Sequence, residues 1–198
     1  MLSDRIQTLS PSLTIAISSL ARDLKAQGKD ILSFSAGEPD FGTPQRIKDE
    51  AIKAINDGFT QYTAVPGIPE LLEAVAAKLK RDNNLDYAPS DIIVSNGAKQ
   101  SLFNLFQAVL NEGDEVIIPA PYWVTYPELV KYASAVPVVI ETDEISGFKM
   151  TAEQLSAAIT PKTRMVILTT PSNPTGSVYS KEELEALASV LEGTDIMV

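Results

Sequence analysis

Apolar positions along this chain recur first at helical spacing and then in alternating strand and helix rhythms. Leu13, Ile17, Leu20 and Leu24 predict an amphipathic helix over residues 12–27, stopped by Gly28. A short extended run at 31–35 leads into the turn-rich Gly37-Glu38-Pro39-Asp40-Phe41-Gly42. Pro44 opens a second helix to about Asn56, closed by Gly58, with Asp49, Glu50 and Lys53 on its wet face. After the loop 62–66 and a hinge at Gly67, Pro69 starts a helix to Asp82 through Leu71, Leu72, Val75, Ala76 and Leu79.

From Asp91 the rhythm is regular. Strands are predicted at 92–94, 116–118, 136–140 and 165–169, with another beginning at 196–198. Helices are predicted at 99–110, 126–132, 151–159 (capped by Thr151) and 181–191. Strands alternating with helices predict an α/β fold with a mostly parallel, doubly wound sheet. No internal repeat or low-complexity segment interrupts the pattern.

Composition narrows the chemistry. The 198 residues are 44% hydrophobic and 21% charged, an ordinary globular balance with enough length for one substantial core. A formal charge of −10 argues against non-specific binding to nucleic acid or an anionic membrane. With neither cysteine nor histidine, there is no disulfide framework, no thiolate metal site and no imidazole for acid–base work. Catalysis would have to use lysine, tyrosine, carboxylates or a cofactor. The apolar stretch 13–21 is interrupted by Thr14, Ser18 and Ser19 and reads as helix rather than secretory signal. No run reaches the length of a membrane span, and a cytoplasmic protein is expected.

Three segments follow strands in the same register and should converge on one sheet edge. Ser95-Asn96-Gly97-Ala98-Lys99-Gln100-Ser101 could offer backbone N–H groups and a positive helix end to an anion, although Asn-Gly is also a common turn. Ala120-Pro121-Tyr122-Trp123 carries the only tryptophan, able to stack on a planar ring or simply to pack beneath a loop. Pro171-Ser172-Asn173-Pro174-Thr175-Gly176 traps an amide between two prolines at a strand's carboxyl end, where open α/β sheets place ligands. An ordinary Asn-Pro turn is its bland alternative. The X–Pro bonds before Pro121 and Pro174 are expected to be cis.

These segments, together with Ser35-Ala36-Gly37-Glu38-Pro39-Asp40-Phe41 and Tyr62-Thr63-Ala64-Val65-Pro66-Gly67, stand in an order that resembles the class I, fold-type I aminotransferases. The likeness covers essentially the whole chain and is to the N-terminal half of bacterial-type aspartate, prephenate and aromatic aminotransferases. It implies a three-layer large domain with a mostly parallel sheet, incomplete here. Residues 1–45 would form an N-terminal arm and small-domain segment, and 46–198 the first part of the domain that binds pyridoxal 5'-phosphate.

The resemblance also assigns roles. Gly97, Ala98 and Lys99 would hold the cofactor phosphate, Trp123 would stack on the pyridine ring, and Asn173 would donate to its phenolic oxygen. Tyr62 would reach a partner's cofactor phosphate across a homodimer interface. Gly37 would contact the substrate α-carboxylate, beside Trp123 and Asn173. Amino acid and 2-oxo acid would be the substrates, with aspartate the expected donor. No catalytic residue is assigned, because no lysine here stands in the sequence context of the family's Schiff-base lysine. The chain alone is therefore expected to be inactive, and, because in the family's sheet the strand at 92–94 pairs with a strand from the other half, its open edges are expected to make it fold poorly alone. A non-catalytic α/β module for a phosphorylated ligand, and a carbon–sulfur lyase of the same fold, remain alternatives.

Overall fold

The computed structural model describes residues 2–34 and 37–198, and Ser35 and Ala36 of the extended run lie outside it. Two compact units divide the chain, one of residues 1–16 with 102–198 and one of residues 17–101.

The first unit is built on β1 (Glu115–Ala120), which pairs in parallel with β2 (Val136–Glu141) on one side and β3 (Thr163–Val166) on the other. Ile117 stands opposite Val138 of β2 and Val166 of β3. Side chains of a strand alternate between faces, and each face of β1 has its own core. Val116 and Ile118 pack with Phe106 and Leu110, from and just after α5 (Ala98–Val109), and with Val130 of α6 (Thr125–Tyr132). Ile117 packs oppositely with Leu155 of α7 (Ala152–Ala158) and Leu187 of α8 (Lys181–Leu191). Helices on both faces of a parallel sheet give the three-layer α/β arrangement. It also explains the unbroken apolar run Val116-Ile117-Ile118, whose members are fully buried.

Capping agrees with the expectation for α7. Thr151 Oγ1 accepts from Gln154 N–H while the Gln154 side chain accepts from Thr151 N–H, closing a capping box. Ser180 and Glu183 make the same device at α8. The short α1 (Asp4–Gln7), which four residues gave no periodicity to reveal, lies against α6, with Arg5 5.7 Å from the Tyr132 ring and Ser10 N–H donating to Glu128.

The second unit holds most of α2 (Leu13–Ala26), then α3 (Gln45–Asn56), α4 (Pro69–Asn83) and a 3-10 turn (Pro89–Asp91). Pro69 is the first residue of α4, where its missing N–H costs nothing. Among the described residues of this unit no side chain is buried, and Ile47, Ile52 and Ile55 of α3 are each more than half exposed.

One expectation needs correction. Residues 92–94 do not form a strand. Ile92 has extended backbone (φ −115°, ψ 133°), but no ladder partner lies alongside among the described residues, and Val94 N–H bonds instead to the Pro66 carbonyl at 2.8 Å. Residues 31–34, read as a short extended run, form neither a helix nor a laddered strand. At the far end, 196–198 contributes one parallel bridge, Met165 to Met197.

The core makes a direct prediction. Leu155→Ala, at a fully buried site, should destabilise the first unit by about 2–5 kcal/mol, whereas Ile52→Ala should change stability by less than about 0.5 kcal/mol. Denaturant unfolding of the two variants measures this, and equal losses would contradict the division of the core.

Candidate functional site

The carboxyl ends of β1 and β3 release two neighbouring loops, and these carry the candidate aromatic and amide. After β1 the Ala120–Pro121 bond is cis, and the Thr142 hydroxyl donates to the Ala120 carbonyl just before it. Trp123 is half-buried and meets Tyr126 edge-on, with ring centroids 5.4 Å apart and planes at 87°. That T-shaped contact fixes the indole against the first turn of α6.

After β3 the Asn173–Pro174 bond is cis as expected, and Thr170–Pro171, which was not anticipated, is cis as well. The turn closes on itself: Ser172 N–H donates to the Ser177 carbonyl and Gly176 N–H to the Ser172 carbonyl, both at 2.8 Å. Gly176 sits at φ +73°, a left-handed conformation that a glycine adopts without penalty. The Asn173 side chain is exposed and makes no hydrogen bond among the described residues.

One side-chain bond joins the two loops. The hydroxyls of Tyr126 and Thr169 lie 3.0 Å apart, bridging the start of α6 to the end of the β3 segment. Below it a small cleft is lined by Pro121, Tyr122, Tyr126, Thr169, Asn173 and Tyr179. Trp123 and Asn173 therefore stand on adjacent loops at one sheet edge. Gly37, Tyr62, Gly97, Ala98 and Lys99 all belong to the other unit. There Gly97 has φ +87° with nothing within 4 Å of the position a Cβ would take, at the N-terminus of α5. Tyr62 is fully exposed, and Gly37 is exposed.

Sequence reasoning missed Tyr126, Thr169 and Tyr179. Tyr126 had a weak signal, being one helical turn beyond Trp123. Tyr179 had none. It is 8% exposed, its N–H donates to Thr170 Oγ1 at 3.2 Å, and its hydroxyl accepts from Met150 N–H at 2.7 Å. Burial pushes its hydroxyl pKa up. Beside it Lys149 Nζ meets Glu183 Oε1 at 2.5 Å, and this hydrogen bond, helped by Ser180 N–H, holds the Glu183 carboxyl below its ordinary 4.5.

With this geometry in place, likeness to known proteins becomes decisive. The profile of the family described as Aminotransferase class I and II matches residues 29–198. The chain belongs to this family. It is 54% identical over its full length to the aspartate aminotransferase of Bacillus sp. (strain YM-2), covering 50% of that protein. It is 55% identical over 190 residues to the aspartate/prephenate aminotransferase of Nitrosomonas europaea, covering 96% of this chain and 48% of that one. The aspartate aminotransferase of Thermus thermophilus with maleate superimposes with a TM-score of 0.96 at 47% identity, over 100% of this chain and 52% of the other. The chain spans about half the length of the curated relatives it matches. Class I aminotransferases such as aspartate aminotransferase use pyridoxal phosphate. No helix among the described residues is long and apolar enough to cross a membrane.

The Lys149–Glu183 pair has a pH signature. A carboxyl whose pKa is lowered by folding stabilises the fold above its unfolded value, here 4.5, and loses that contribution as pH falls through the lower folded value. Lys149→Met should therefore lower the melting temperature at neutral pH, and the gap to the native chain should narrow below 4.5. Melts across pH check this, and a gap independent of pH would contradict it.

Proposed function

We propose that the chain supplies the first half of the cofactor and substrate site of a pyridoxal 5'-phosphate-dependent aminotransferase that moves an amino group from an amino acid, aspartate foremost, to a 2-oxo acid. One observation carries the reading beyond family membership: the loops after β1 and β3 share a cleft that Asn173 and Tyr126 line, and Trp123 is held edge-on against that Tyr126. The donors suit the group. A half-exposed indole can cover one face of a pyridine ring, and an exposed amide can donate to a phenolic oxygen. Open space above Gly97, at the N-terminus of the twelve-residue α5, lets a phosphate approach the N–H groups of Ala98 and Lys99, while the Gly97 N–H, which donates to the Ser95 carbonyl at 2.8 Å, would have to exchange that partner to join them.

Bound pyridoxal phosphate supplies the electron sink for the carbanion formed at the amino-acid α-carbon. Trp123 and Asn173 orient the ring, and Gly37 receives the substrate carboxylate at its backbone. In a homodimer the exposed Tyr62 reaches the partner's phosphate site. We assign residues 1–45 to an arm and small-domain segment, residues 46–198 to the first part of the large domain, and the protein to the cytoplasm. No residue of this chain takes the role of proton shuttle, so the 198-residue chain alone does not turn over.

The test is purified chain with pyridoxamine 5'-phosphate, followed by quenching of Trp123, the sole tryptophan. Binding is expected, and Asn173→Ala should weaken it about two- to tenfold, the value of one hydrogen bond of about 0.5–1.5 kcal/mol. With pyridoxal phosphate, aspartate and 2-oxoglutarate, no turnover above free cofactor and no borohydride-trapped adduct are expected. Quenching indifferent to Asn173→Ala contradicts the site, and turnover contradicts the inactivity.

A further inference from the structure

The turn bearing Asn173 is laced to a second segment that none of the assigned roles involves. Between β2 and α7 the chain places Gly147 (φ +63°) and Phe148 (φ +57°) consecutively in the left-handed region. For a bulky residue such as Phe148 that conformation is a genuine outlier, maintained only where surrounding contacts over-determine it. Those contacts lead to the stretch that follows the Asn173 turn and to the start of α8. Ser177 Oγ donates to the Gly147 carbonyl at 2.8 Å, Lys149 pairs with Glu183, and Met150 N–H donates to the Tyr179 hydroxyl. Phe148 is thereby laid into the same cleft that Asn173 and Tyr179 line.

Tyr179 is the hub of this lacing. Its backbone N–H grips Thr170 at the entry of the turn, its hydroxyl grips the 147–150 segment, and its ring packs with Met150 and Leu155 in the core on that face of the sheet. The turn's own two backbone bonds, from Ser172 N–H and Gly176 N–H, form between flanks that the Tyr179–Thr170 bond holds together, so loosening Tyr179 opens them as well as the turn's stance over the cleft.

We propose that Tyr179 is a positioning residue: through its hydroxyl and the 147–150 segment it sets the orientation of the Asn173 turn, and with it the direction of the Asn173 amide. Tyr179 acts through Asn173 and needs no contact with the reacting atoms. The ligand side of this inference rests on the cofactor reading above, and the orientation of the turn does not.

Two measurements on the full chain separate these. Without ligand, Tyr179→Phe removes the acceptor of Met150 N–H but keeps the ring, and should speed amide exchange at Ser172 and Gly176 about tenfold or more while β1 amides stay unchanged. Ser177→Ala, which cuts the tie to Gly147, should do the same to a smaller degree. Unchanged exchange at Ser172 and Gly176 overturns the proposal. With ligand, pyridoxamine 5'-phosphate is compared with its 3-deoxy analogue, which lacks the oxygen assigned to Asn173. The native chain should prefer the former about two- to tenfold, and Tyr179→Phe should shrink that preference towards one while leaving affinity for the analogue within twofold. Equal weakening of both ligands, or an unaltered preference, overturns it. A native chain with no preference at all refutes the cofactor reading, and amide exchange alone then decides the role of Tyr179.

Discussion

β1 is hydrogen-bonded along both edges and covered on both faces, and the candidate site hangs from its carboxyl end. Its register with β2 and β3 decides where each following loop begins: Ile117 faces Val166, and Ile167 N–H still reaches the Ile117 carbonyl at 2.9 Å after the ladder ends. Because the fully buried Val116, Ile117 and Ile118 point alternately into two cores, a slip of one residue would exchange those cores. The register is thus specified by burial. Trp123 and Asn173 inherit their neighbouring positions from it.

What lies above that edge is rigidified by polar contacts of modest individual strength. The Tyr126–Thr169 hydroxyl bond spans the two loops, the Ser172–Ser177 closure shapes one of them, and Tyr179 joins that loop to the core. Each such bond contributes about 0.5–1.5 kcal/mol net. Together they hold two loops that would otherwise be free to choose among many conformations. The Asn173 amide is left without a partner among the described residues, which suits a donor reserved for a ligand.

Much of this was legible in the sequence, for physical reasons that differ by element. Helical spacing found α3, α4, α5 and α8 to within a residue or two, since an amphipathic face repeats over several turns. Apolar runs found β1, β2 and β3, although β3 ends at Val166 rather than 169, where the segment turns towards Thr170–Pro171. Residues 92–94 fit the alternating rhythm as a strand, but a strand needs a paired edge and none lies alongside among the described residues. The cis bonds before Pro121 and Pro174 were expected, and the one before Pro171 was not. Tyr179 and Phe148 were invisible because their importance lies in long-range contacts, 29 residues apart for Tyr179 with Met150.

The edge formed by the loops after β1 and β3 is proposed to receive one planar, hydroxyl-bearing ring. The most direct measurement is a titration of the isotopically labelled chain with pyridoxamine 5'-phosphate, following the Trp123 indole N–H and the Asn173 side-chain amide by NMR. Both signals should move together along one saturable curve, with Tyr126 following. Shifts confined to one of the two, or to neither while the ligand binds elsewhere, would contradict it.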